Sequence, residues 1–129
     1  MKIVVLGGTG LTGRCAVRDL AQSREVSEIV MTSRSLEKAE RIADEIKSKK
    51  VSIAQIDATK HDETVRVLKG ADVALNAVQY YYNLDIMRAA LEAKVHYLDL
   101  GGLFHITLKQ LELNDKFRNC LLYTSDAAD

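Results

Sequence analysis

The chain has no proline and no tryptophan, only two cysteines, and a formal net charge of zero over 129 residues. Cys15 and Cys120 lack metal-ligand spacing, so we predict no metal site, and such sparse cysteine favours a reducing cytoplasm. Zero net charge gives no reason to expect nucleic acid or an anionic membrane as a partner. No apolar run is long enough to cross a membrane, and the run after Met1 predicts a strand rather than a signal peptide.

A glycine-rich stretch, VVLGGTGLTG at residues 4–13, is the most informative part of the chain. The apolar run before it predicts a buried parallel strand, and the spacing from Leu11 onward predicts a helix with Leu11 on its apolar face. In such a turn the first glycine of G-x-G-x-x-G permits the bend, the second admits a pyrophosphate, and the third allows close packing. We therefore predict dinucleotide contacts at Gly8, Thr9, Gly10, Leu11, Thr12 and Gly13.

The same glycines have three alternative interpretations. A plain glycine-rich turn is the simplest alternative. A P-loop is disfavoured, because Arg14 and Cys15 stand where lysine and serine or threonine are needed. Gly7, Gly10 and Gly13 also form G-x-x-G-x-x-G, as in short-chain dehydrogenases. The catalytic Tyr-x-x-x-Lys pattern of that family is missing, because no tyrosine here has a lysine four positions later. An active short-chain dehydrogenase is thus disfavoured, and a non-catalytic relative stays open.

Strand and helix patterns alternate along the rest of the chain. Ser35 is a candidate cap for the second helix, and Thr59 with Asp62 resembles a capping box for the third. This alternation predicts an α/β fold, a Rossmann-type doubly wound parallel sheet of five strands in the order 3-2-1-4-5. Further strands are predicted at 28–32, 51–56, 72–78 and 95–100, and later helices at 83–93 and 103–119, the last with Phe104, Leu108 and Leu111 on one stripe.

The end of the second strand indicates which cofactor is bound. An acidic residue about 20 residues beyond the glycines would bind the ribose hydroxyls of NAD, but Thr32-Ser33-Arg34-Ser35 stands there instead. Ser33 can donate to a 2′-phosphate and Arg34 can clamp it, so we predict NADP rather than NAD. The alternative makes Arg34 a solvated loop residue beside a cap serine.

The carboxyl ends of the other strands should border the same ligand. Asp57 and Ala58 would lie by the adenine, although Asp57 could equally cap the next helix. Asn76, Ala77 and Val78 would run beside the nicotinamide ribose. Asp99 and Gly101 would border the nicotinamide and the substrate, unless they form a simple turn.

With these residues placed, the chain resembles the NADP-binding domain of the saccharopine dehydrogenase family over residues 1 to about 119. The resemblance is carried by VVLGGTGLTGR, TSRSLEKAE, QIDA, NAVQYYYNLDIMRAALEA and HYLDLGGLFHITLKQ. It implies hydride transfer at an amino-acid C–N bond, as in saccharopine reductases and lysine dehydrogenases, in a cytoplasmic homodimer. The family's tyrosine beyond strand four falls on Tyr80, which we predict to be catalytic together with Asp99 at the end of strand five. The alternative function is a non-catalytic NADP(H)-binding redox sensor.

The resemblance stops where the family continues with a sixth strand and a substrate domain. We therefore expect residues 1–119 to be an incomplete Rossmann domain, inactive alone, with strand five at an uncovered edge. Residues 120–129, CLLYTSDAAD, match a translated sequencing adapter. Our hypothesis is that this tail is not native.

Overall fold

The computed structural model of the chain describes residues 1–124, so the last five residues of the suspected tail lie outside the described part. In chain order the elements are β1 (Lys2–Leu6), α1 (Leu11–Ala21), β2 (Glu28–Ser33), α2 (Leu36–Ile46), β3 (Val51–Gln55), α3 (His61–Leu68), β4 (Val73–Asn76), a 3₁₀ turn (Tyr80–Tyr82), α4 (Asn83–Ala93), β5 (His96–Asp99), α5 (Phe104–Leu111) and α6 (Asn114–Asn119).

The five strands form one parallel sheet in the order β3-β2-β1-β4-β5, as predicted. The register pairs Leu6 with Asn76 and Asn76 with Asp99, while Ser33 pairs with Gln55. Strand ends that are far apart in the sequence therefore meet at one edge of the sheet, where ligands of such folds bind.

Helices cover both faces of the sheet, so β1 is buried on both sides. Val5 and Val17 belong to the cluster under α1 and α2, together with Ile42. Val4 packs on the opposite face with residues of α3, α4 and α6, including Phe117. A continuous apolar strand is what this two-sided burial requires.

The predicted continuous helix over 103–119 is wrong, because the chain turns between α5 and α6. Its predicted apolar stripe is also wrong: Phe104 is 70% exposed, and Leu108 and Leu111 are exposed too. The buried side chain of α5 is polar Gln110, which donates to the Asp99 carboxylate. The face of α5 that packs inward is therefore not the one that its apolar residues indicate.

Two local expectations near the helix starts also fail, while a third is confirmed. Leu11 is 80% exposed rather than packed inward. The capping box of Thr59 and Asp62 does not form, because α3 begins at His61 with no side-chain cap. Ser35 does cap α2, accepting from the amide of Lys38 at 3.2 Å.

In the full chain, the outer edge of β5 is partly paired by a residue of the suspected tail, while an uncovered edge in residues 1–119 alone stays a prediction. The amide of Tyr97 donates to the carbonyl of Tyr123 at 2.9 Å. The amide of Tyr123 donates in turn to Nδ1 of His96 at 2.9 Å. Within residues 1–124, no helix has both the length and the hydropathy needed to cross a membrane.

Candidate functional site

A cleft of about 460 Å³ runs across the carboxyl ends of β1 to β4. Its volume lies within the range usual for small-molecule sites. Eight of the predicted cofactor residues line it: Thr9, Gly10, Ser33, Arg34, Asp57, Ala58, Ala77 and Val78. The remaining predicted residues are absent from its lining: Gly8, Leu11, Thr12, Gly13, Asn76, Tyr80, Asp99 and Gly101.

The structural roles of the glycines in the turn differ from the predicted ones. Gly7, not Gly8, takes the left-handed backbone conformation, with φ of +72°. A Cβ on Gly8 would lie 2.4 Å from Cγ of Met31, so Gly8 allows close packing on β2. A Cβ on Gly13 would lie 2.2 Å from the carbonyl oxygen of Gly7. The overlapping Gly7–Gly10–Gly13 pattern was the signal that pointed to Gly7.

Gly10 has a different environment. A Cβ there would meet only the carbonyl oxygen of Gly7, at 3.3 Å, and its φ of −69° and ψ of 171° suit any residue. It also lines the cleft and caps α1 without a side chain. The space above Gly10 is therefore open to a ligand at a helix N-terminus, where phosphates are favoured.

The end of β2 presents hydrogen-bond donors to the cleft. The buried Ser33 Oγ accepts from the Thr9 hydroxyl at 3.0 Å and from the Ser35 amide at 3.1 Å. With both acceptor positions used, the proton of the Ser33 hydroxyl is available to a ligand. Arg34 lines the cleft beside it, and its carbonyl accepts from the Gln55 side chain at 3.1 Å.

Lys38 is a second cation in the cleft lining that the sequence analysis missed. It lies in the first turn of α2, and its amide is the one that Ser35 caps. The predicted cap at Ser35 was the available signal, because a helix that begins so soon after β2 keeps its first turn near the end of that strand.

Asp57 lines the cleft, as predicted, but it does not cap α3, whose start has no side-chain cap. Its Oδ1 accepts from the amide of Thr59 at 3.0 Å and from the Thr59 hydroxyl at 2.6 Å, while the residue also lines the cleft. The side-chain hydrogen bond from Thr59, then the backbone one, lowers the pKa of Asp57, and the charges of Lys60 and Arg34 add to the effect. The carboxylate therefore stays ionised near neutral pH.

Asn76 lies beneath the cleft instead of facing it. Its side chain is 1% exposed, and its Oδ1 accepts from the amide of Val78 at 3.0 Å. Its Nδ2 donates to Oδ1 of Asn83 and to the hydroxyl of Tyr97, both at 3.0 Å. Ala77 and Val78, one and two residues later, form the wall itself.

The two predicted catalytic residues are both engaged elsewhere. Oδ1 of Asp99 accepts from the Gly101 amide at 2.8 Å, and Oδ2 accepts from Tyr97 at 2.8 Å and Gln110 at 2.6 Å. The Tyr80 hydroxyl donates to the Tyr81 hydroxyl at 3.1 Å, and this bond, with the proximity of Tyr81, raises the pKa of Tyr80.

Tyr82 is the tyrosine that lines the cleft. The run of three tyrosines did not indicate which side chain faces the cleft. The short 3₁₀ turn that sets their directions has no periodic pattern in the sequence. Among residues 1–124, no group of histidine, cysteine or acidic residues is arranged to hold a metal ion.

Comparison with known proteins gives one family over almost the whole chain. Residues 3–121 match the family described as Saccharopine dehydrogenase NADP binding domain. The fold is similar to that of apo histidine-tagged saccharopine dehydrogenase (L-Glu forming) from Saccharomyces cerevisiae, at a TM-score of 0.77. That match is 18% identical and covers 95% of this chain and 26% of the yeast chain.

Two curated relatives are closer in sequence. Carboxyaminopropylagmatine dehydrogenase of Synechocystis is 37% identical over 104 residues, covering 79% of this chain. Carboxynorspermidine synthase of Vibrio cholerae is 33% identical over 110 residues, covering 77%. The matched part is 26% of each relative, so the chain spans about a quarter of their length. The predictions of the family, the fold and NADP as cofactor are confirmed.

Proposed function

The chain belongs to the saccharopine dehydrogenase family through its NADP-binding domain, and from that premise we propose that it is the nucleotide-binding part of an oxidoreductase. The enzyme would act at a C–N bond of an amino-acid derivative. The observation that carries the proposal is the cleft, whose lining combines open space above Gly10 with the donors of Ser33 and Arg34.

We place the 2′-phosphate of NADP between Ser33 and Arg34. The hydrogen bonds that Ser33 accepts orient its hydroxyl as a donor, and the Arg34 guanidinium supplies charge and a fixed fork of donors. Lys38 adds a second positive charge on the same side of the cleft. An acid in this position would repel the phosphate, and these three residues are all neutral or cationic.

We place the pyrophosphate above Gly10, at the start of α1. Gly7 and Gly13 shape the turn so tightly that neither tolerates a Cβ at its present position. The exposed Leu11 and Thr12 then lie beside the bound cofactor, which would account for an 80% exposed leucine in the turn. The adenine would lie by Asp57 and Ala58.

The other end of the cofactor would pass Ala77 and Val78 toward Gly101. Bound NADP(H) would supply or accept the hydride. The contacts of Tyr80 and Asp99 favour a supporting role over acid–base catalysis, because their polar atoms already have partners. The chain would thus contribute binding and orientation, and the reacting groups would lie in the rest of a longer protein.

The substrate we propose is a carboxylated amine. Both curated relatives carry such a compound in their names, a carboxyaminopropylagmatine and a carboxynorspermidine. These names favour amine derivatives over the lysine-type substrates implied by the resemblance alone. The longer enzyme would be a homodimer in the cytoplasm, and the free Cys15 fits a reducing compartment.

The chain alone is expected to show no turnover. The cleft is open to solvent, whereas hydride transfer needs the substrate held a few ångströms from the nicotinamide with water excluded.

Residues 120–129 remain, by hypothesis, a non-native tail. Recovering the parent sequence through codon 129 would decide whether they are native.

Cofactor titration tests the proposal. We expect the chain to bind NADPH more tightly than NADH, and Arg34→Ala to weaken NADPH by about 10- to 100-fold, the loss of one charge-assisted hydrogen bond. NADH binding should change little in that variant. Arg24→Ala, which removes an exposed arginine outside the cleft, is the matched control. Equal affinities for the two cofactors would contradict the assignment.

A further inference from the structure

We propose that Asn83 is a positioning residue for the nicotinamide half of the cofactor. It joins two loops, residues 77–79 after β4 and residues 100–102 after β5, through a buried amide bridge. The inference rests on the proposed function, since it assumes that a dinucleotide occupies the cleft.

The bridge is made by one side chain. Oδ1 of Asn83 accepts from Nδ2 of Asn76 at 3.0 Å, and Nδ2 of Asn83 donates to the carbonyl of Gly101 at 3.3 Å. The residue is 2% exposed. Because a buried amide must satisfy both its donor and its acceptor, its position determines where Asn76 and Gly101 can lie.

Each loop has a second attachment near the bridge. Asn76 accepts from the amide of Val78 at 3.0 Å, which holds the first loop. Asp99 accepts from the amide of Gly101 at 2.8 Å, which holds the second. No buried side-chain nitrogen or oxygen within residues 1–124 lacks a partner, so the network is complete without a ligand.

The order of the sheet places this network away from the phosphate-binding end. Arg34 follows β2, which lies on one side of β1, while the bridged loops follow β4 and β5 on the other. Ala77, Val78 and Gln79 line the cleft there. A displaced loop should therefore disturb the nicotinamide half and leave the adenosine half in place.

A pair of ligands separates the two halves. NADPH occupies both, whereas adenosine 2′,5′-bisphosphate occupies only the adenosine half. We would titrate each onto the full chain and onto Asn83→Ala, following NADPH by the fluorescence of its reduced nicotinamide and the bisphosphate by its displacement of bound NADPH. Asn114→Ala is the matched control, because Asn114 is the first residue of α6 as Asn83 is the first of α4.

In Asn83→Ala we expect NADPH affinity to fall about three- to tenfold, as for one net hydrogen bond, with a weaker gain in nicotinamide fluorescence. Bisphosphate affinity should stay within about twofold. Asn83→Asp is a second variant, which keeps the acceptor for Asn76 but sets a second oxygen against the Gly101 carbonyl. The same split is expected in it.

The outcomes distinguish the two levels of the claim. A wild-type chain that binds neither ligand would overturn the proposed function itself. Unchanged NADPH affinity in both variants, or an equal loss for both ligands, would overturn the positioning role alone. Loss of all binding and folding in both variants would assign the bridge to the fold and would likewise overturn it.

Discussion

The two ends of the cleft use polar side chains in opposite ways. At the β2 end, Ser33, Arg34 and Lys38 line the cleft with their donors and charges. At the β4–β5 end, Asn76 and Asp99 also stand at strand ends, yet their polar atoms bind other protein groups and the wall is Ala77 and Val78. In the proposed function, the first end would recognise the ligand directly, and the second would hold the backbone that borders it.

This difference shows that a polar residue at the carboxyl end of a strand is not by itself a ligand-binding group. A polar atom that is buried needs a hydrogen-bond partner within the protein, whereas the partner of one at the surface of the cleft can be a bound ligand. Asn76 is 1% exposed and belongs to the first kind. Exposed Arg34 belongs to the second. Ser33 combines the two, since it is buried and accepts from Thr9 and Ser35 but also lines the cleft.

The largest effect is expected from Gly13→Ala, because the added Cβ would lie 2.2 Å from a backbone oxygen of Gly7. Overpacking typically costs about 1–3 kcal/mol, and a rigid backbone partner places this site at the upper end. Chemical denaturation measures the loss. Gly10→Ala is the control, since its Cβ meets the same oxygen at 3.3 Å. Equal stabilities for the two variants would contradict this account of the turn.

Gly10→Val should remove cofactor binding while leaving the fold intact. Gly10 lines the cleft in an extended conformation that valine can adopt, so the side chain would fill the space proposed for the pyrophosphate. Circular dichroism and NADPH titration on one sample separate the two effects. A folded variant with undiminished affinity would refute the placement of the pyrophosphate.

Lys38→Ala should have a smaller effect than Arg34→Ala, because the half-buried Lys38 offers a single point charge, whereas the Arg34 guanidinium offers a fixed fork of donors. We expect about a threefold loss of NADPH affinity that weakens at high salt, since salt screens charges in contact with solvent. NADH binding should not change. A salt-independent loss, or an equal one for NADH, would mean that Lys38 acts through the fold instead.

Asp57→Asn should have the smallest effect. The pKa of Asp57 is lowered from its ordinary value of 3.8, so its contribution to stability is present above that pH and is lost as pH falls through the folded-state pKa. The variant should melt slightly below wild type at pH 7, with the difference vanishing near pH 2. A difference that persists in acid would point to packing rather than charge.

Much of the fold follows from local pattern. Buried strands alternate with amphipathic helices, and a glycine turn joins the first pair, so the strand order and the Ser33–Arg34 position could be predicted. Long-range hydrogen bonds could not be predicted from local pattern. Gln110 of α5 donates to Asp99 at the end of β5, and Asn83 bridges to Gly101 across 18 residues of sequence. Such contacts leave no periodic signal.

The most direct test of the central claim is to map both ligands on the amide NMR spectrum of the full chain. Adenosine 2′,5′-bisphosphate should shift the amides of residues 33–35 and leave residues 77–79 unmoved. NADPH should shift both sets, together with Gly10 and Gly101. Shifts confined to other surfaces, such as α5, or identical shifts from the two ligands, would contradict the claim that one end of the cleft recognises the ligand and the other positions the backbone.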